Sequence, residues 1–194
     1  GDLCGGTATG KVYRILPSGE TSLFAQVDSG IEGMAFDTSA EYGSLLYISE
    51  WVDGGNGRIS SIDSSGSVSI FAPTGTVGPD PYGLEFCGSP VRLYLADQDG
   101  TIYEISNDGS ANMLGGVDLA SQIQYGETLA CSESEGGFGS YLYLAEQGDA
   151  PTGRVLRISL DGSVEVFATG FEGFDWWGVT GLKFNPERDA LYVT

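Results

Sequence analysis

The sequence predicts an all-β protein built from four equal repeats, and two observations lead to this prediction. A four-residue stretch recurs at positions 46–49 (LYIS), 93–96 (LYLA), 142–145 (LYLA) and 191–194 (LYVT), so that its tyrosines lie 47, 49 and 49 residues apart. In addition, no segment shows helical periodicity over about 11 residues. The 31 glycines leave room for the many tight turns that short strands need.

Each repeat contains four short strands. Residues 11–16 (KVYRIL) and 21–26 (TSLFAQ) alternate around a turn at 17–20, which is typical of a β-hairpin. Residues 31–37 (IEGMAFD) then form an apolar strand, and residues 45–50 form the strand that carries the tyrosine. The same order recurs at 58–63, 68–72, 82–87 and 92–97, at 101–106, 111–114, 127–131 and 141–146, and at 154–159, 164–168, 180–185 and 190–194.

Periods of about 40–50 residues with four strands each are typical of the blades of a β-propeller. In each blade the apolar strand is expected to be innermost (A), the tyrosine strand next (B), and the hairpin outermost (C and D). The chain begins with strands C and D, at residues 11–26, and ends with strands A and B, at residues 180–194. The tyrosine spacing of 49 is also recovered when Thr194 is joined to Gly1.

The sequence therefore predicts a single domain over residues 1–194, a four-bladed β-propeller closed by pairing of the N- and C-terminal half-blades. Residues 190–194 would pair with residues 11–16, which leaves no sheet edge open. If the same halves paired between molecules, the protein would form swapped dimers or a filament.

Composition excludes several functions. The net charge of −19, from 27 acidic and 8 basic residues, argues against nucleic acid and anionic membranes as partners. No apolar run reaches the roughly 18 residues that a membrane span needs. The absence of histidine excludes a Ser-His-Asp triad, a Cys-His dyad and an imidazole-bound zinc site within one chain. The acidic composition and a start without methionine fit a secreted, extracellular protein or a trimmed chain.

The loops between strands B and C and between strands D and A share one face of a propeller, called here the first face. Many carboxylates fall on it, and hard oxygen ligands near glycines suit calcium, which takes six to eight of them. We expect a metal site, with calcium as the candidate ion, at Glu32, Asp80, Asp97 and Glu127 around the axis. The alternative is that these carboxylates are solvated loop charges.

Aromatic residues on the first face form a second candidate site. The segment 174–178 (FDWWG) places Asp175, Trp176 and Trp177 in a loop between strands D and A, where a large ring can stack on a sugar or anchor a protein. Trp51 and Tyr82 lie on the same face. The alternative is that the two adjacent tryptophans fill the central opening as core. The tyrosines of the B strands are expected to be core residues.

Cys87 and Cys131 lie at the ends of inner strands in neighbouring repeats, in what we interpret as the same repeat position as Asp37 and Asn185. A disulfide between them requires Cα atoms within about 7 Å. Cys4 would then be a free or intermolecular thiol, which favours an oligomer. The alternative is three buried, reduced cysteines.

The repeat of an inner strand, an LY strand and a G-(K/R)-(V/I) hairpin resembles those of NHL-type and gluconolactonase/regucalcin-type propellers over essentially the whole chain. Those families usually have six blades. The resemblance implies a divalent metal bound by the glutamate of a Glu-Gly pair that opens an inner strand, and Glu32-Gly33 matches this pair. Gly126-Glu127 places a carboxylate at the comparable position two blades on, while Tyr82 and Thr180 hold the matching places in the other two.

These observations predict a secreted, acidic binding or structural module, and they favour binding over catalysis. It would engage a protein, a glycan or identical subunits through the first face or the half-blade ends, with calcium as the candidate cofactor. The alternative is a divalent-metal-dependent lactonase or other hydrolase of gluconolactonase type, with Glu32 as a metal ligand and Glu127 as a second carboxylate.

Overall fold

The computed structural model of the chain describes residues 10–52, 54–133, 137–147, 153–171 and 178–194. In these ranges the protein is all-β, with a single 3₁₀ turn at Leu114–Gly116. Within the same residues no helix is long and apolar enough to cross a membrane. The sixteen predicted strands are all present, with ends that differ from the prediction by up to two residues: β1 (Lys11–Ile15), β2 (Thr21–Gln26), β3 (Gly30–Phe36), β4 (Leu46–Val52), β5 (Asn56–Ile62), β6 (Val68–Ala72), β7 (Pro81–Cys87), β8 (Arg92–Asp97), β9 (Ile102–Ile105), β10 (Ala111–Met113), β11 (Gly126–Glu133), β12 (Ser140–Glu146), β13 (Arg154–Ile158), β14 (Val164–Ala168), β15 (Leu182–Phe184) and β16 (Leu191–Val193).

The strands form three complete four-stranded antiparallel sheets and two half-sheets. The complete sheets have the orders β3-β4-β5-β6, β7-β8-β9-β10 and β11-β12-β13-β14, which is the predicted A-B-C-D order in each case. The half-sheets are the hairpin β1-β2 and the pair β15-β16. The repeat deduced from the tyrosine spacing therefore corresponds to a repeated sheet.

Four blades and a closed ring are not confirmed. Among the described strands, β1 pairs with β2 alone and β16 with β15 alone, so the expected pairing of residues 190–194 with residues 11–16 is not present. The inner strands β3, β7, β11 and β15 pack in chain order, with substantial contact between consecutive members. The described sheets thus form a row with a half-sheet at each end, and closure stays a prediction.

Aromatic side chains fill the space between neighbouring sheets. Tyr47 is 1% exposed, its hydroxyl donates a 2.6 Å hydrogen bond to the carbonyl of Tyr42, and its ring meets Phe71 and Phe86 edge to face. Tyr94 and Tyr143 are equally buried, which confirms the core assignment for three of the four strand tyrosines. The fourth, Tyr192 in β16, is 63% exposed, because none of the described strands covers it.

The predicted disulfide between Cys87 and Cys131 is confirmed. It joins β7 to β11, with 5.5 Å between the Cα atoms and a sequence separation of 44 between the two cysteines. It therefore links the inner strands of two neighbouring sheets. Cys4 lies outside the described residues.

The expectation that the two cysteines share one repeat position is wrong. In β7, Glu85 is the residue opposite the strand tyrosine, and Cys87 lies two residues beyond it. In β11, Ala130 is opposite the tyrosine, and Cys131 lies only one residue beyond it, so that Ser132 is the true counterpart of Cys87. Because side chains alternate along a strand, this offset of one residue lets the two cysteines point toward each other from adjacent inner strands.

Candidate functional site

Glycines bring the inner strands unusually close together at the start of each strand. A Cβ atom on Gly33 of β3 would lie 2.1 Å from the carbonyl oxygen of Tyr82, and one on Gly83 of β7 would lie 2.5 Å from that of Glu127. Both approaches are too short for any side chain larger than hydrogen. The residues next to these glycines, Glu32 and Tyr82, are therefore held beside Glu127 at one end of the inner strands.

The strand register places Glu32, Tyr82, Glu127 and Thr180 at one repeat position. Each lies three residues before the inner-strand residue that pairs with the tyrosine of its sheet. This agrees with the equivalence that the family resemblance implies. Two carboxylates in alternate blades are thus separated by a tyrosine.

Glu127 is a buried carboxylate bound by neutral donors. Its side chain accepts hydrogen bonds from the amides of Gln98, at 3.3 Å, and of Gln147. Burial raises the pKa of Glu127 to about 7, although the two amide hydrogen bonds act in the opposite direction, and the charge of Glu32 adds to the rise. No ion pair to Glu127 occurs among the described residues.

Glu32, Asp80 and Tyr82 share this environment. Burial raises the pKa of Glu32, and the charge of Asp80 contributes. Burial, followed by the charges of Glu32, Glu127 and Asp80, raises the pKa of Tyr82 to about 12. These mutual effects show that the groups lie near one another, and we call Glu32, Asp80, Tyr82, Gln98, Glu127 and Gln147 the axial cluster.

Asp97, the fourth predicted metal ligand, lies beside this cluster against the loop that enters β7. Its carboxylate accepts hydrogen bonds from the backbone amides of Asp80 and Asp99, both at 3.2 Å. The side chain is fully buried, and burial raises the pKa of Asp97 to about 7. The Asp97 carboxylate therefore holds the backbone at Asp80 and Asp99 in place through hydrogen bonds.

A different kind of buried carboxylate occurs at the end of β4. Glu50 is fully buried, and its Oε2 lies 2.7 Å from Nη2 of Arg58 on β5. The hydroxyls of Ser29 and Ser60 also donate to it. The arginine thus neutralises the charge of Glu50, and the two hydroxyls donate hydrogen bonds to its carboxylate oxygens.

The same pairing recurs in the third complete sheet but not in the second. Glu146, three residues after its strand tyrosine as Glu50 is, is bound by Arg154 on β13. In the middle sheet that position is Asp97, and the residue across from it is Thr101, whose carbonyl accepts from the Asp97 amide. The middle sheet therefore keeps the buried acid without the arginine.

The chemistry of the axial cluster suits a hard cation, but its described side chains do not form a closed cage. Carboxylate and amide oxygens are ligands that calcium accepts. Among the residues that the structure describes, however, no three Asp, Glu or Cys side chains are close enough to hold a metal ion. The four-residue metal site stays a prediction.

Trp51, a predicted binding residue, lies in β4 opposite Gly57 and is 40% exposed. It occupies the position that Gln98 and Gln147 hold in the other two complete sheets, four residues after the strand tyrosine. The sequence analysis missed these two glutamines, although each directly follows the acid that ends the tyrosine strand. Asp175, Trp176 and Trp177 lie outside the described residues.

No family model matches the chain, and no curated protein matches it. Its fold does match solved structures. A gluconolactonase from Xanthomonas campestris superposes with a TM-score of 0.64 at 19% identity, over 86% of this chain and 54% of that protein. A protein of unknown function from Bacteroides thetaiotaomicron gives a TM-score of 0.63 at 15% identity, over 91% and 49%.

A protein from Lactobacillus plantarum gives a TM-score of 0.61 at 16% identity, over 96% of this chain and 57% of the other. The chain thus spans about half the length of the solved structures that it matches. At these identities the similarity concerns the fold, and it is consistent with a propeller-type arrangement of sheets.

Proposed function

We propose that this chain is a binding module whose axial cluster binds a divalent cation, with calcium as the ion that fits its oxygen donors. The observation that carries the proposal is the contrast between two sets of buried acids. Glu50 and Glu146 are bound by arginines, whereas Glu127 is bound by two glutamine amides and has a pKa raised to about 7. A buried carboxylate without a cationic partner is costly to ionise, and a bound cation removes that cost.

The cluster supplies both charged and neutral oxygens. Glu32 and Glu127 provide carboxylates from alternate inner strands, and Asp80 provides a third whose charge already acts on Glu32. The side-chain carbonyls of Gln98 and Gln147 are neutral donors, and water completes a coordination shell of six to eight oxygens. An ion bound there would link the loops that lead into neighbouring sheets. It would thereby hold the first face in one conformation for binding a partner.

We propose that the protein is secreted. Disulfides such as Cys87–Cys131 are typical of oxidising compartments, and extracellular calcium is abundant enough for sites of modest affinity. The net charge of −19 favours solubility and attracts cations. We propose a protein or a glycan as the partner, bound by Trp51 and the 174–177 segment of the first face.

The test is thermal unfolding with and without millimolar calcium. A ligand that binds only the native state stabilises it, so the melting temperature should rise with calcium concentration. The rise should vanish in Glu127→Gln and persist in Glu20→Gln, which removes the same charge from an exposed turn. A melting temperature that calcium does not change, or an equal rise in both variants, would contradict the proposal.

A second candidate is a metal-dependent lactonase of gluconolactonase type. Two observations favour it: the fold similarity to a gluconolactonase, and the pKa of Glu127, which near neutrality suits a group that takes a proton from an attacking water. Hydrolysis of sugar lactones with calcium, magnesium, manganese or zinc, lost in Glu127→Gln, would establish this activity. Calcium binding without turnover under any of these metals would leave the binding module as the function.

A further inference from the structure

A cavity of about 330 Å³ lies among the inner strands β7, β11 and β15 and the turn that follows β15. Its volume is within the range of small-molecule sites. Charged side chains of both signs line it together with two residues of β11: Glu85, Lys183, Arg188, Ala130 and Cys131. Because Glu85 comes three residues after Tyr82 in β7, the cavity lies further along the inner strands than the axial cluster.

Glu85 and Lys183 hold one repeat position in alternate sheets. Each pairs with the tyrosine of its own sheet, Glu85 with Tyr94 and Lys183 with Tyr192. In the sheet between them the same position is Ala130. The small side chain of Ala130 therefore leaves space between an acid and a lysine, and all three residues line the cavity.

The carboxylate of Glu85 has no partner in the described part of the chain. Its side chain is only partly exposed, yet it forms no hydrogen bond and no ion pair with the described residues. Burial raises the pKa of Glu85 to about 7, although the charges of Lys183 and Arg188 act in the opposite direction. A carboxylate removed from water without a donor is costly to ionise, so Glu85 is an acceptor for a group that enters the cavity.

The other wall of the cavity is positively charged. Nη1 of Arg188 donates a 3.0 Å hydrogen bond to the carbonyl of Cys131 and lies 4.0 Å from the carboxylate of Glu133. A guanidinium has five N–H groups, so Arg188 retains donors for a ligand. Lys183, with three donors of its own, has no ion pair with any described residue.

Contacts with β11 hold this wall in place. The hydroxyl of Thr128 donates a 2.6 Å hydrogen bond to the carbonyl of Thr180, two residues before β15, and Arg188 binds the Cys131 carbonyl beyond the end of β15. The walls of the cavity thus consist of packed inner strands. They do not include the outer edges of β1 and β16, and the cavity does not depend on what covers those edges.

We propose that this cavity binds a free α-amino acid, with its ammonium on Glu85 and its carboxylate on Lys183 and Arg188. A ligand that carries both charges satisfies both walls, whereas a ligand with one charge leaves the other wall without a partner. Phe184 and Pro186 also line the cavity, which favours an amino acid with an apolar side chain. The site is separate from the axial cluster and does not require calcium.

Thermal unfolding tests the proposal at about pH 8, above the pKa of Glu85, where its carboxylate is ionised. Each neutral L-amino acid is added at about 10 mM, and a ligand that binds only the native state raises the melting temperature. We expect a rise with apolar amino acids such as leucine and methionine. The rise should be the same in EDTA and in calcium, so that this site and the calcium site are tested separately. No rise with any amino acid overturns the proposal.

Calorimetry with analogues tests the two charges of the ligand. For leucine, the analogues are leucinamide, which lacks the carboxylate, and 4-methylpentanoate, which lacks the ammonium. Each should bind at least about tenfold more weakly than leucine, because each loses a hydrogen bond between charged groups. An analogue that binds as tightly as the amino acid overturns the proposal.

Neutral variants test the two walls. Glu85→Gln and Lys183→Gln, with unchanged circular dichroism, should each weaken amino acid binding by at least about tenfold. Glu20→Gln and Lys11→Gln are the matched controls, since they remove the same charges from exposed positions and should bind as the wild type does. Unchanged binding in Glu85→Gln, or equal weakening in the controls, overturns the proposal.

Discussion

Glu50 and Arg58 form an ion pair between β4 and β5, with 2.7 Å between Oε2 and Nη2 and with the carboxylate fully buried. Its two members are eight positions apart along the chain, as are Glu146 and Arg154 in the third complete sheet. In both sheets it lies at the end where the inner strands carry the axial cluster. The repeat therefore contains a structural ion pair next to the proposed binding site.

Arg58→Ala should destabilise the protein by about 3–5 kcal/mol, because it leaves a buried carboxylate without its counter-charge. Urea unfolding measures the loss. The double variant Glu50→Leu/Arg58→Met should recover part of it, since a buried ion pair can be replaced by apolar side chains at little cost. A single variant as stable as the wild type would show that the pair contributes nothing.

Loss of the Cys87–Cys131 disulfide should cost about 2–4 kcal/mol, because the bond restricts the unfolded chain across a sequence separation of 44. Unfolding of wild-type protein with and without reductant gives the value, and the Cys87→Ser/Cys131→Ser variant should not respond to reductant. If reductant lowers the stability of both proteins equally, the effect does not come from this bond.

Gly33→Ala should destabilise the protein by about 1–3 kcal/mol, because its methyl group would lie 2.1 Å from the Tyr82 carbonyl and would push β3 away from β7. Gly30→Ala is the control on the same strand, since its methyl group would meet only the Glu32 side chain at 3.5 Å. Chemical unfolding of the two variants compares them. Similar stabilities would contradict the close packing of the inner strands.

Stability should fall as the pH rises from about 4.5 to 7, and Glu127 should account for part of the fall. Its pKa is raised from 4.5 to about 7 on folding, so the folded state binds this proton more tightly than the unfolded state. The resulting stabilisation is complete below pH 4.5 and is lost as the pH passes 7.

Glu127→Gln should reduce the stability difference between pH 5 and pH 8 by about 1–3 kcal/mol, as measured by urea unfolding. Asp97 and Glu85, whose pKa values burial also raises to about 7, should retain the remaining pH dependence. A pH dependence that the variant leaves unchanged would show that Glu127 ionises freely in the folded protein.

The strands could be predicted because their signals are local. Alternation of side chains, glycine turns and the recurring LY pair each act over a few residues, and the structure has the predicted strands in the predicted order within each complete sheet. The beginnings of the inner strands could also be aligned with one another from the sequence. This alignment placed Glu32 and Glu127 at one repeat position.

The register of the inner strands could not be predicted in full. The predicted strand 127–131 ended at Cys131, whereas β11 continues to Glu133, so that Ser132 and not Cys131 is the counterpart of Cys87. The ion pairs Glu50–Arg58 and Glu146–Arg154 were not predicted, because the acidic residues of the first face were treated as one set rather than repeat by repeat. The available signal was an acid near the end of the tyrosine strand with an arginine eight positions later, which occurs in two repeats, whereas the middle repeat has the acid without the arginine.

Closure depends on the angle between neighbouring sheets, which arises from packing between repeats and has no local sequence pattern. Tyr192 and Tyr143 both belong to the recurring LY pair, yet one is exposed and the other is buried. Only contacts beyond the repeat decide between these outcomes.

Calorimetry of calcium binding at pH 7, in two buffers of different ionisation enthalpy, tests the central claim most directly. If calcium binds the axial cluster, it must displace the proton from Glu127, which at its raised pKa of about 7 is partly protonated. We predict saturable binding with release of a fraction of a proton per ion, and neither binding nor release in Glu127→Gln. An absence of binding heat, or binding that releases no proton, would contradict the account.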